Sequence, residues 1–127
     1  MNLLLDTHVF LWWDQGGQTL PGHALDAIAR PENNIFVSAA SVWEIAIKRR
    51  LGKLRFNGSA AAAIGANGFH ALPVLPGDAE QAGDLIWDHS DPFDRLLVAQ
   101  AMRQDMTLAT ADRSIRDFAA VAQLWVV

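Results

Sequence analysis

Four acidic residues in the sequence have the chemical type and the placement of ligands for a divalent metal ion. Asp6 directly follows the apolar run Leu3–Leu5, and Asp112 follows another short apolar run. Glu44 lies one to two turns into a predicted helix, and Asp94 lies in the first turn of a different helix. Carboxylate oxygens are the ligands that Mg²⁺ and Mn²⁺ prefer. Without a cation, such a cluster would repel itself and raise one or more carboxyl pKa values.

Each of these acids also has a purely structural interpretation. Asp6 and Asp112 could each cap the helix that follows. Glu44 ends a Ser-x-x-Glu capping pattern and forms a favourable i,i+4 pair with Lys48. Asp94 occupies a helix-start position where an acid complements the helix dipole. Four acids at one edge of a sheet are more than capping requires, so the metal-site hypothesis depends on whether the fold brings them together.

The elements that must position these acids alternate along the chain. The predicted strands are Asn2–Leu5, Asn34–Val37, Ala71–Val74, Met106–Ala109 and Gln123–Val126. The predicted helices are Thr7–Trp13, Pro21–Ala29, Ala40–Leu51, Ser59–Ala66, Asp78–Trp87, Pro92–Gln104 and Arg113–Ala119. Strands that are apolar on both faces and alternate with helices indicate an α/β fold with a parallel sheet covered on both sides. In such folds chemistry collects beyond the carboxyl ends of the strands.

Length and composition limit the class of protein. The 127 residues predict one domain over residues 1–127, and 51% hydrophobic residues provide a core. The absence of cysteine excludes disulfides, zinc thiolates and cysteine nucleophiles. The N-terminus lacks the basic region of a signal peptide, and no stretch approaches the roughly 18 apolar residues of a membrane span. We therefore expect a soluble, cytoplasmic protein that does not enter a membrane.

The charge balance argues against nucleic-acid binding by bulk charge. Fourteen acidic residues against ten basic ones give a net charge of −4, whereas proteins that bind nucleic acid by bulk charge are usually basic. Five of the ten bases lie between Lys48 and Arg55. This run is either a solvated helix end or a local phosphate-binding patch.

Four segments, in this order, resemble the motifs of a known family. The segments are Asn2–His8, Val37–Ile45, Asp91–Ala101 and Leu108–Asp112. They are similar to the motifs of the PIN-domain family and, within it, of the VapC-type toxin ribonucleases of bacterial type II toxin–antitoxin pairs. The resemblance spans residues 2–127, although Trp87 and Asp88 depart from the usual pattern before the third motif.

The resemblance implies both the fold and the activity. It implies a three-layer α/β/α domain with a central, mostly parallel sheet of four to five strands. It also implies a metal-dependent endoribonuclease in which Asp6, Glu44, Asp94 and Asp112 hold one or two Mg²⁺ or Mn²⁺ ions. A water activated by the metal would then cleave RNA phosphodiester bonds, so no side-chain nucleophile would be required.

Further residues and partners follow as expectations. By the resemblance, a small antitoxin protein covers the active site and the toxin forms a homodimer. The histidines that flank the acids, and the basic residues of the motifs, are candidates for contact with RNA. The candidates for supporting the metal site or binding substrate are Ser38, Thr110, Thr7, His8, His89, Arg95 and Lys48.

Two alternatives remain open from the sequence. A phosphotransfer or phosphatase domain would use Asp6 as a covalent nucleophile, but His8 stands where such domains often carry a second Asp. A non-catalytic PIN-like binding module would use the acids only as helix caps, which need no cation.

Two tryptophans are expected to have a structural role. Trp43 and Trp87 lie on apolar helix stripes, so we expect both to pack in the core.

Overall fold

A computed structural model describes residues 1–118 and 120–126, and in this part of the chain strands and helices alternate as expected. The strands are β1 (Asn2–Leu5), β2 (Asn34–Ser38), β3 (His70–Leu72), β4 (Thr107–Thr110) and β5 (Gln123–Trp125). The helices are α1 (Thr7–Asp14), α2 (Gly22–Ala29), α3 (Ala39–Arg50), α4 (Ala60–Ala66), α5 (Pro76–Asp84), α6 (Pro92–Gln104) and α7 (Arg113–Arg116). None of the described helices is long and apolar enough to cross a membrane.

The five strands form one parallel sheet in the order β3-β2-β1-β4-β5. Strand β1 lies at the centre, between β2 and β4, with Leu5 opposite Val37 on one side and Ala109 on the other. The carboxyl ends of the three central strands therefore meet at one edge. Asp6, Ser38 and Thr110 lie at this edge.

Helices cover both faces of the sheet. Successive strand residues point to opposite faces, and in β1 the side chains of Leu3 and Leu5 join one buried cluster while Leu4 joins another. The first cluster includes buried side chains from helices α1 to α4, and the second includes side chains from α6 and α7. The predicted three-layer α/β/α architecture is confirmed.

Two elements begin and end earlier than the sequence patterns predict. Strand β3 ends at Leu72, because Pro73 has no N–H to continue the ladder. Helix α5 runs over Pro76–Asp84 instead of Asp78–Trp87. The Asp78 carboxylate accepts a hydrogen bond from the Leu75 N–H, which fixes the helix start two residues earlier. The last helix, α7, ends at Arg116 with Asp117 as its C-cap, earlier than the predicted end at Ala119, a residue that lies outside the described part of the chain.

Candidate metal centre

Asp6 is a buried carboxylate at the end of the central strand. One oxygen, Oδ1, caps helix α1 by accepting the Val9 N–H at 2.9 Å, and the other, Oδ2, accepts the Thr110 hydroxyl at 2.5 Å. Burial raises the pKa of Asp6 above its usual value, and the nearby Asp112 carboxylate raises it further. Its hydrogen bonds and His8 act in the opposite direction but do not cancel the effect of burial.

Thr110 joins this acid to the acid that follows β4. Its hydroxyl donates to Asp6 and accepts the Asp112 N–H at 3.0 Å. Asp112 uses Oδ1 to cap α7, accepting the Ser114 N–H at 2.8 Å. The two acids line a cleft of about 200 Å³ together with His8, Trp12 and Ala111. The capping and cleft interpretations of these acids are therefore compatible.

Asp94 lies in the first turn of α6 beside two further potential ligands. Its Oδ2 is 2.7 Å from His89 Nε2. Asp91 caps the same helix through Oδ1, which accepts the Phe93 N–H. Burial raises the pKa of Asp94 to about 6, and Asp91 and Asp112 also raise it, against an opposing hydrogen bond from His89. Among the described residues, His89, Asp91 and Asp94 alone bring three ligand atoms within 4.8 Å of one another.

Asp91 is a potential ligand that the sequence patterns do not predict. The Asp-Pro-Phe-Asp run explains it as an N-cap, and the structure confirms that role. Asp91 precedes Asp94 by three residues, which places the two carboxylates about one helical turn apart. This spacing could have identified Asp91 as a ligand from the sequence.

Glu44 already has a partner on each carboxylate oxygen. Thr7 Oγ1 donates to Oε1 at 2.7 Å, and the Lys48 ammonium donates to Oε2 at 2.6 Å. The Glu44 side chain is 5% exposed. The hydrogen bond to Glu44 raises the pKa of Lys48, and Asp91 and Asp94 raise it further although burial opposes this. Lys48 therefore supplies a positive charge between Glu44 and the acids of α6.

Two other predicted site residues hold the surrounding structure in place. Ser38 is fully buried and donates to Gln100 Oε1 at 2.6 Å, which ties β2 to α6. Arg95 donates to five carbonyl oxygens, those of Ala82, Gly83, Leu85, Trp87 and His89. A phosphate could reach this guanidinium only by replacing some of these hydrogen bonds, so Arg95 shapes the segment that carries His89.

The two tryptophans expected in the core differ in environment. Trp87 is half-buried, and its ring lies 4.8 Å from the ring of Phe118 and 4.8 Å from that of His89. The expectation for Trp43 was wrong: the residue is 58% exposed, with its ring 5.2 Å from that of Phe93. It projects from α3 next to Glu44.

The predicted acids lie in one region, but the four of them do not form a compact cage. Asp112 is close enough to raise the pKa of both Asp6 and Asp94. Glu44 is connected to this region through Thr7, the neighbour of Asp6, and through Lys48. The donor set consists of hard oxygen atoms, and the pKa values of Asp6 and Asp94 are raised, mainly by burial and further by neighbouring carboxylates. Both properties fit a divalent cation, which would relieve the repulsion.

The sequence pattern of the PIN domain family matches residues 3–121. This match covers nearly the whole chain, and the protein therefore belongs to the PIN domain family. No curated protein matches the chain significantly.

Several solved structures share the fold. VapBC2 from Rickettsia felis, bound to a DNA fragment from its promoter, matches with a TM-score of 0.68 and 12% identity over 100% of both chains. VapC20 from Mycobacterium tuberculosis, described as a toxin that cleaves the sarcin-ricin loop, matches with a TM-score of 0.59 and 19% identity over 94% of this chain and 98% of that one. FitAcB from Neisseria gonorrhoeae matches with a TM-score of 0.53 and 22% identity over 96% of both chains. At these identities, the likeness concerns the fold.

Proposed function

We propose that the protein is a metal-dependent endoribonuclease and the toxin of a type II toxin–antitoxin pair. The observation that carries this proposal is the placement of Asp6, Asp94 and Asp112 at the carboxyl edge of a parallel sheet, close enough that Asp112 raises the pKa of the other two. A structural cap gains nothing from a neighbouring negative charge, whereas a metal ligand requires such neighbours.

Asp6, Glu44, Asp94 and Asp112 are the residues that would hold one or two Mg²⁺ or Mn²⁺ ions. A divalent cation bound there would lower the pKa of a coordinated water and offset charge on the phosphodiester. Asp91 and His89 lie beside Asp94 and are further candidates for this role. Glu44 keeps a free lone pair on each oxygen, but the Lys48 ammonium at 2.6 Å from Oε2 already offsets part of its negative charge.

The supporting side chains fix the acids before any ligand arrives. Thr110 orients Asp6 and also holds the backbone of Asp112. Thr7 orients Glu44 and is itself hydrogen-bonded to the buried Ser41 hydroxyl at 2.9 Å. Such partners of metal ligands typically change metal affinity or activity by about 10- to 100-fold when they are removed.

An RNA substrate fits the distribution of exposed positive charge. Arg50, Lys53 and Arg55 are exposed beyond the site, at and after the end of α3. Arg49 donates hydrogen bonds to the Phe56 and Gly58 carbonyls. Its positive charge is therefore held in place, whereas the other three side chains are free to move. Phosphates along a bound strand would meet this basic segment, while cations compensate the acidic site.

The partners and location are part of the same proposal. Several of the matched structures are of toxin–antitoxin complexes. By analogy, a small antitoxin would cover the acidic site of this protein, which would act as a homodimer in the cytoplasm. The phosphotransfer alternative has less support, because His8 stands where such domains often carry a second Asp.

The proposed activity predicts metal-dependent cuts in RNA. The purified protein, incubated with a mixture of structured RNAs, should produce discrete fragments with Mg²⁺ or Mn²⁺ and none with EDTA. Asp94→Asn should reduce the cleavage rate by more than about 100-fold, since it removes a metal ligand and not merely a partner of one. Asp88→Asn makes the same chemical change at an exposed position and should cleave normally. Equal cleavage by Asp94→Asn, or cleavage that persists in EDTA, would contradict the proposal.

A further inference from the structure

An exposed aromatic pair adjoins the acidic site. Trp43 lies immediately before Glu44 on α3, and Phe93 lies immediately before Asp94 on α6. Their rings meet edge-on, with centroids 5.2 Å apart and planes inclined at 75°. The helix turns that position two acids therefore also present two aromatic rings.

The exposure of this tryptophan requires an explanation. Trp43 is 58% exposed, while Ile45, two residues later on α3, is fully buried. The remaining exposed large hydrophobic residues in the described part of the chain are Met1, Leu51, Leu75 and Ile86, and none of them is aromatic. A large aromatic side chain left in water beside a reactive centre is typical of a ligand contact.

The surroundings favour a nucleic-acid base over a protein surface. Charged groups adjoin the pair: Glu44 and Asp94 directly follow the two aromatic residues in sequence, and Lys48, further along α3, forms an ion pair with Glu44. The cores of protein interfaces are depleted of charged residues. At helical spacing, the neighbours of Trp43 on the surface of α3 are the exposed Ala39 and Ala46 and the half-buried Ile47, so the exposed apolar area next to the ring is small against a standard interface of about 800 Å² per partner.

A positive charge on the same helix face suits a nucleic-acid strand. Arg50 is exposed seven residues after Trp43, which is two turns and about 10 Å along the helix. About three nucleotides of a stacked strand, at about 3.4 Å each, span that distance. A base could stack on the ring while a phosphate nearby on the strand contacts Arg50.

We infer that Trp43, supported by Phe93, is a stacking platform for an unpaired base next to the RNA phosphate that the acidic site receives. This inference rests on the proposed ribonuclease function and adds a property of the substrate. A base in a duplex is already stacked on both sides, so the platform selects loops or single strands.

Binding of RNA with and without bases tests this inference. The probes are a fluorescein-labelled octamer of adenosine nucleotides and an abasic ribose-phosphate octamer of equal charge. Binding is measured by fluorescence anisotropy with proteins that carry Asp94→Asn, which prevents cleavage and removes one negative charge that would repel the RNA phosphate. The base-bearing octamer should bind about tenfold more tightly than the abasic one. Adding Trp43→Ala should reduce this preference to less than about twofold, and Trp43→Phe should retain most of it.

Leu51→Ala is the matched control, because Leu51 is 61% exposed at the end of the same helix. It should leave the preference for bases unchanged. A preference that persists in Trp43→Ala, or that is absent from the parent protein, would overturn the inference. Conversion of a dimer to a monomer by Trp43→Ala, with base preference intact, would assign the ring to an interface between copies and overturn it as well.

Cleavage by the protein without Asp94→Asn separates this inference from the proposed function. If that protein cuts RNA but base preference does not depend on Trp43, only the stacking inference fails. If it cuts no RNA and the Asp94→Asn protein binds neither octamer, the proposed function fails and the stacking inference fails with it.

Discussion

Asp94→Asn is expected to stabilise the metal-free protein at neutral pH. The folded-state pKa of Asp94 is raised from 3.8 to about 6, mainly by burial. Below about pH 4 the carboxyl is protonated in both the folded and unfolded states, so its ionisation costs no stability. Between pH 4 and 6 the carboxyl is ionised mainly in the unfolded state, so the loss of folding stability grows with pH. Above pH 6 the carboxyl is ionised in both states, and the loss of stability is fully present. Asparagine does not ionise, so the variant avoids the whole cost, about 3 kcal/mol of unfolding free energy.

Urea unfolding in EDTA at pH 4, 5, 6 and 7.5 measures this difference. The free energy of unfolding of Asp94→Asn should equal that of the parent protein at pH 4, exceed it increasingly up to pH 6, and then stay above it. Asp88→Asn, at an exposed position, should follow the parent protein throughout. A variant that is less stable than the parent at every pH would show that Asp94 is a structural acid.

The second large effect is expected at Arg95. Replacing it by Met removes five hydrogen bonds to carbonyls at the end of α5 and in the segment up to His89. Hydrogen bonds from charged groups contribute about 1.5–3 kcal/mol each but are not additive, so we expect a loss of about 3 kcal/mol or more. Arg95→Lys should recover little, because an ammonium has three donors and lacks the planar arrangement of a guanidinium.

Urea unfolding measures the free energy of unfolding of the Arg95 variants. Amide hydrogen exchange over residues 85–89 shows whether the loss of stability is concentrated in this segment. The exchange of these amides should accelerate more than that of the central strand β1. Arg55→Met, which removes the same charge at an exposed position, should change the free energy of unfolding by less than about 0.5 kcal/mol. Unchanged stability and exchange in both Arg95 variants would mean that these hydrogen bonds do not hold the segment.

The sequence predicted the sheet and the positions of the strand-end acids because both depend on local patterns. The apolar run before Asp6 can only be a buried strand in this context, and the residue that follows such a strand lies at the carboxyl edge. The Glu44–Lys48 pair was likewise predicted from i,i+4 spacing, and the structure confirms it. The catalytic roles of these acids stay predictions.

Other features depend on contacts that no local pattern encodes. In the sequence, Arg95 has the pattern of a solvent-facing basic residue on a helix. In the structure, its guanidinium donates hydrogen bonds to carbonyl oxygens of residues six to thirteen positions earlier in the chain. Trp43 follows an apolar stripe, yet the tertiary arrangement of α3 and α6 leaves it exposed beside Phe93. The early end of β3 at Leu72 could have been predicted, because Pro73 was visible in the sequence.

The most direct test of the central claim is a titration of the metal-free protein with Mn²⁺ at pH 7.5, followed by calorimetry and by melting temperature. A site formed by the strand-end acids predicts binding of one or two ions and a rise in melting temperature, since a ligand that binds only the folded state stabilises it. Both effects should be lost in Asp6→Asn and Asp94→Asn and retained in Asp88→Asn. Absence of binding and of any melting shift in the parent protein would contradict the claim and leave the acids with structural roles alone.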